Sequence, residues 1–179
     1  VHVNHPRMDP KEVDRRTQEA RIHLSFVVKL YEAQMSRGAH FLHEHPASAA
    51  SWNTAEMQEL LSRPEVNSGI GHMCRFGMKT EPPEGGAGRL LVRKPTRWAS
   101  SAEEVLRRTC LRCTNEQCPD ESEMHLHGTL QGRLSSGVNR TAEAAIYPPA
   151  LCTAVLRGIA AQHAREGEAM PTHLERRLD

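Results

Sequence analysis

Gly38-Ala39-His40-Phe41-Leu42-His43-Glu44-His45-Pro46 is the stretch on which the reading of this chain turns. Ala39 to His43 is short, apolar-rich and halted at Pro46, the pattern of a buried strand that a proline ends. Gly38 in front of it offers the left-handed stop of a helix. Upstream, Asp9 caps, Pro10 sits where its missing N–H costs nothing, and Glu12 completes a capping box. Val13, Ala20, Leu24, Val27, Val28, Tyr31 and Met35 then recur at three- and four-residue spacing, which predicts one long amphipathic helix. Helix followed by buried strand is one αβ step of a layered fold.

Working outward, Asn53 or Thr54 caps a second helix through Glu56, with Met57, Leu60 and Leu61 inward and Pro64 closing it. Val66 to Cys74 reads as the next strand, weakened by Gly69 and Gly71. Glu81 to Gly88 is a loop by composition, and it joins a hairpin whose later side is Arg89 to Arg93 and Thr96 to Ala99, interrupted at Pro95. Met73 to Met78 and Lys94 to Trp98 are expected as its two sides. Ser100 or Ser101 with Glu103 or Glu104 starts a short helix ending near Arg108. Cys110 to Arg140 shows no periodicity. Tyr147-Pro148-Pro149 leads into a last helix with Leu151, Cys152, Val155, Leu156 and Ile159 on its apolar face, so Cys152 is expected in the core.

A chain of 179 residues, 38% of them apolar, is long enough for one ordinary core. A formal net charge of +1 supplies no global attraction to nucleic acid or an anionic membrane, so any such contact must be local. No membrane-spanning run and no secretory leader pattern is present, which predicts an intracellular protein with no membrane partner. The first residue is Val1 rather than Met, and the expectation is a chain that is processed, or excised as a piece of something longer. The five cysteines, three of them crowded into Cys110 to Cys118, point to reduced thiols or metal ligands rather than a disulfide framework.

Three groups could carry chemistry. Glu44, flanked by His43 and His45 at the carboxyl end of a buried strand, is placed where open α/β sheets bind ligands; the alternative is a turn-capping acid between two exposed histidines. Lys94, Arg97 and Trp98 would make a small cationic and aromatic surface for a phosphate and a base; alternatively they mark a protected edge strand with Trp98 turned inward. Cys110, Cys113, Cys118, His125 and His127 offer five soft or borderline ligands within eighteen residues, enough for a closed, structural tetrahedral zinc site. Cys74 has no base beside it in sequence, which argues against a nucleophilic role.

Several blocks occur in a familiar order: Gly38 to Trp52, Met73-Cys74-Arg75-Phe76-Gly77, Lys94-Pro95-Thr96-Arg97-Trp98, the Cys and His segment, and Tyr147-Pro148-Pro149-Ala150-Leu151-Cys152. Together, from about Glu12 to Gln162, the chain resembles the methyltransferase-like domains of copia-type retroelement polyproteins, and more distantly is similar to cytosine-5 DNA methyltransferases. The resemblance implies a partial class I methyltransferase-like, Rossmann-like α/β fold in which this chain is the carboxy-terminal half with an irregular Cys/His segment. It also implies that Glu44 corresponds to the acid of the Glu-Asn element that contacts the target base, with His45 in place of the Asn. Lys94 and Arg97 would correspond loosely to a later basic strand supporting the site.

The same comparison implies what is missing. No glycine-rich turn after a strand precedes residue 38, and no cysteine precedes Cys74, so neither the S-adenosylmethionine site nor the Pro-Cys nucleophile of such enzymes is found. The expected layout is a single partial methyltransferase-like domain over residues 1–165, with 110–127 as a candidate zinc-binding insert, and a charged tail over 166–179. The expected function is that of a truncated or degenerate nucleic-acid methyltransferase-like domain, inactive by itself and dependent on the rest of the parent polyprotein for S-adenosylmethionine. The competing expectation is a zinc-stabilised module that binds DNA or RNA, or another partner, without catalysis.

Overall fold

The computed structural model describes residues 8–82, 88–114 and 126–167. The first helix, α1 (Pro10–Met35), starts on Asp9, whose carboxylate accepts the Lys11 N–H at 2.9 Å. Glu12 does not close the expected capping box; Arg15 and Arg16, one turn ahead on the same face, take its carboxylate instead. Gly38 at φ 76° turns the chain out of the helix, with its N–H on the Met35 carbonyl.

The strand that follows is β1 (Leu42–Pro46), three residues later than the expected 39–43. Phe41 is buried just ahead of it, and Ala39 and His40 serve as the connection. A 3-10 turn and α2 (Ala55–Leu61) then lead to β2 (Asn67–His72), where the two glycines do not prevent pairing. Gly71 in fact permits it, because a Cβ there would fall 2.1 Å from the Thr109 carbonyl oxygen.

The predicted hairpin is corrected by the observed pairing. Met73 to Phe76 is a buried 3-10 turn, and the hairpin is the short pair β3 (Lys79–Thr80) and β4 (Leu90–Leu91). The next strand, β5 (Pro95–Ser100), pairs antiparallel with both β1 and β2, giving the sheet order β1-β5-β2. It is therefore a central strand and not an edge; Pro95 is tolerated because it is the first residue. Since β5 opposes both neighbours, β1 and β2 run parallel, and α2 makes the crossover between them.

Helices cover both faces of this sheet. Leu24, Val28, Tyr31 and Met35 of α1 and Met57 and Leu60 of α2 pack with Phe41, Trp52 and Ala99 on one side. On the other, Trp98 packs with Met73, Phe76 and Val92, with Leu106 of α3 (Glu103–Thr109), and with Leu151 of α5 (Pro149–Glu166). Between these helices lies the one-turn α4 (Arg140–Glu143). No serine side chain caps α3; the buried Ser100 hydroxyl takes the Ala102 N–H, while Gln162 of α5 accepts the Glu104 N–H.

The carboxyl end of α5 reaches further than expected. Glu166, assigned from sequence to a charged tail, is the last helical residue and pairs with His40 at 2.9 Å. The remainder of the tail, 168–179, lies outside the described residues. The chain is thus of mixed α and β structure; in the three-stranded sheet both ladders are antiparallel, and β1 and β2, joined through α2, flank β5 without the parallel layering expected of a Rossmann-like fold.

Candidate functional site

Successive side chains of a strand point to opposite faces, and this divides the residues that the sequence groups together. Across the β1–β5 ladder Glu44 is opposite Trp98, while His43 is opposite Ala99 and His45 opposite Arg97. Glu44 and Trp98 share the face covered by α3 and α5. His43, His45 and Arg97 share the face covered by α1 and α2.

On the first face the Tyr147 hydroxyl, at the entry to α5, donates to the Glu44 carboxylate. Burial, and then the Glu44 carboxylate beside it, raises the Tyr147 phenol well above its ordinary range. Lys94 Nζ lies 5.8 Å from the Tyr147 ring centre and donates to the Ala144 carbonyl at 2.8 Å. Its backbone φ of 22° is unusual for a residue with a side chain, and the Ala144 bond helps hold it. Trp98 is 3% exposed and its indole N–H is buried without a partner, so its ring lies within the core and has no open face for a base to stack on.

On the second face Trp52 is the centre. Its indole N–H donates to the Pro46 carbonyl at 2.9 Å, the Arg97 guanidinium sits 4.7 Å over its ring, and His43 meets it edge-on at 5.1 Å. Arg97 also donates to the Ser68 hydroxyl at 3.0 Å. His43 Nδ1 and the Tyr31 hydroxyl are 3.0 Å apart, and His43 Nε2 is buried without a partner. Burial, helped by the neighbouring His45, pushes the His43 imidazole down to about 4. His45, bonded to Ser51 at 2.6 Å, is likewise lowered by burial, against the opposing pull of Glu44. Burial disfavours the charged form of both rings, and Arg97 brings a cation against Trp52 on this face.

A third grouping lies beyond the carboxyl end of β2. One ligand atom from each of Cys74, Cys113 and His127 comes within 4.8 Å of the others, and Cys113 Sγ is 3.6 Å from His127 Nε2. Cys74 sits in the 3-10 turn after β2, Cys113 just past α3, and His127 beside β4, where a bridge to Leu91 and a Gly128 N–H bond to the Leu91 carbonyl fix it. Cys74, Cys113 and Leu91 form a small buried cluster of their own. His72 Nδ1 accepts the Cys113 N–H at 2.9 Å, and burial first, then nearby cations, lowers its pKa, as suits a ring nitrogen acting as acceptor.

Of the predicted zinc ligands, Cys113 and His127 are thus together. Cys110 is apart from them: its thiol packs on Gly69, where a Cβ would fall 2.6 Å from Sγ, and burial pushes the thiol up. Cys118 and His125 lie outside the described residues. Cys74 was missed because its partners are remote in sequence, and Tyr147 because its reach to Glu44 spans most of the chain. Cys152, expected in the core, is exposed; Leu151 beside it is the buried residue.

Comparison with family models, with curated proteins and with solved structures finds no match to this chain. Among the described residues no helix is long and apolar enough to cross a membrane.

Proposed function

We propose that this chain is a nucleic-acid-recognition domain of methyltransferase-like design, from a retroelement polyprotein, that does not itself transfer a methyl group. The observation that carries the reading is Glu44, which lies midway along β1 rather than at its expected carboxyl end, with its carboxylate steadied by Tyr147 and the Lys94 ammonium beside that phenol. A carboxylate so held can accept from an exocyclic amine of a base, while Arg97, half-buried on the opposite face of the sheet, meets a phosphate. Helices cover both sheet faces, but every ladder of the sheet is antiparallel, unlike the mostly parallel sheet of a Rossmann-like fold, so the ancestry rests on the sequence resemblance.

The described residues do not fit S-adenosylmethionine. Of the two parallel strands, β1 runs into Ala47-Ser48-Ala49 and β2 into the buried Met73 to Phe76, and neither passes through a glycine-rich turn to a helix. No transfer step is assigned to this chain, and on this reading the methyl donor belongs to other parts of the parent polyprotein.

Fluorescence anisotropy with labelled single-stranded DNA, duplex DNA and single-stranded RNA, over a salt series, tests the proposal. Salt-sensitive binding that Glu44→Gln alters between base compositions is expected. Absence of binding to all three at low salt rejects it.

A further inference from the structure

We infer that Cys74, Cys113 and His127 form a metal centre for one zinc ion, which clips three remote parts of the chain together. The donor set is two thiols and one imidazole, the soft and borderline ligands that zinc selects over harder cations. Their ligand atoms lie within 4.8 Å of one another, and the 3.6 Å between Cys113 Sγ and His127 Nε2 matches the roughly 3.5–3.8 Å between donors around one tetrahedral zinc ion. Each donor is fixed by its own surroundings. Cys74 is held in a 3-10 turn closed by Gly77 at φ 77°, Cys113 by its N–H bond to His72, and His127 by the Leu91 bridge.

The three donors come from segments with little regular structure of their own. A bound ion would tie the turn after β2, the chain leaving α3 and the segment beside β4 into one unit, adding to the Cys113–His72 and Gly128–Leu91 hydrogen bonds that already link them. Zinc binding also converts both thiols to thiolates, whose charge the ion balances within a buried pocket. This ligand set differs from the one that spacing suggests, since Cys74 enters it and Cys110 does not. The inference is independent of nucleic-acid binding.

Cobalt(II) titration of the full chain, reduced and stripped of metal, tests it. Saturation at about one ion per chain is expected, with a thiolate-to-cobalt charge-transfer band and the visible bands of a tetrahedral site, and with zinc displacing cobalt. Removing zinc with a chelator should lower Tm by at least about 5 °C. Cys110→Ser and Cys152→Ser should keep the stoichiometry, whereas Cys74→Ser and Cys113→Ser lose it. Because a serine variant can fail to fold, His127→Cys provides a second arm: it should keep the ion and strengthen the charge-transfer band. Absence of a charge-transfer band in the unsubstituted chain overturns the proposal, as does loss of the ion in Cys110→Ser but not in Cys74→Ser. A Cys74–Cys113 disulfide in metal-free protein purified without oxygen overturns it as well.

Discussion

Glu44 stands directly opposite Trp98 across the β1–β5 ladder, on the same face of the sheet. Trp98 is in the core with Leu106 and Leu151, whereas the Glu44 side chain reaches past it to the Tyr147 hydroxyl. The pair marks where core becomes edge on that face. A carboxylate is tolerated there because a phenol satisfies one oxygen and solvent reaches the rest.

Tyr147 should therefore titrate late, and Glu44 should account for part of the delay. In a Tyr31→Phe background, which leaves Tyr147 as the remaining tyrosine, tyrosinate absorbance is expected to rise well above the ordinary value of about 10. Glu44→Gln should bring the midpoint down without restoring it, since burial is the larger cause. An unchanged titration in Glu44→Gln would show that the bond does not form in solution.

His43 should make the fold acid-sensitive. Its folded pKa of about 4 lies below the ordinary 6.5, so between these values the unfolded chain binds the extra proton and the folded chain does not. Stability is then fully kept above pH 6.5 and lost as pH falls towards 4, and His45 acts in the same direction. The half-buried ring limits the effect to roughly 1–2 kcal/mol. Urea melts at pH 7 and 4.5 should show the loss, and His43→Phe, which fills the space without a proton site, should flatten it. A pH slope that persists in full in His43→Phe assigns the sensitivity elsewhere.

What the sequence revealed, and what it hid, follows from the range of each interaction. Asp9, Pro10 and Gly38 act within one turn of themselves, so α1 was legible almost to the residue. The place of β5 was not, because strand pairing is long-range and Lys94 before it and Pro95 at its start imitate an edge. The burial of Trp98, Ala99 and Ser100 on both faces is the mark of a central strand, but it reads equally as a hairpin arm. Cys152 misled for a geometric reason: the inward line on α5 runs through Leu151, the partly buried Val155, Gly158 and Gln162, and Cys152 is turned about 100° away from it. The metal cluster brings Cys74 to Cys113 and His127 through the tertiary fold, which no local spacing records.

Two glycines test the closeness of packing around α3. A Cβ at Gly158 would fall 2.6 Å from Val105 Cα, and one at Gly71 would fall 2.1 Å from the Thr109 carbonyl oxygen. Both obstacles are backbone, which cannot step aside as a side-chain tip can. Gly158→Ala would ordinarily gain up to about 1 kcal/mol in a helix. Here the clash should outweigh that gain and cost about 1–3 kcal/mol net, with Gly71→Ala at least as costly. Chemical denaturation decides the matter; a Gly158→Ala chain as stable as the parent would mean that α3 and α5 do not pack as closely as described.

Arg97 and Lys94 carry the same charge but should behave differently towards nucleic acid. Arg97 rests on Trp52 with one guanidinium nitrogen on Ser68, an arrangement that leaves the group ordered and part of it open to a phosphate. The Lys94 ammonium is already committed to the Ala144 carbonyl and sits near the Tyr147 ring. Arg97→Ala should weaken oligonucleotide binding uniformly across sequences and lower the salt slope by about one, the signature of one lost phosphate contact. Lys94→Met should instead lower Tm first, by removing the tie between β5 and the end of α4, with a smaller change in the slope. Equal salt slopes for the parent chain and Arg97→Ala would remove Arg97 from the binding surface, and a lower slope with Lys94→Met alone would move that surface to the Glu44 face.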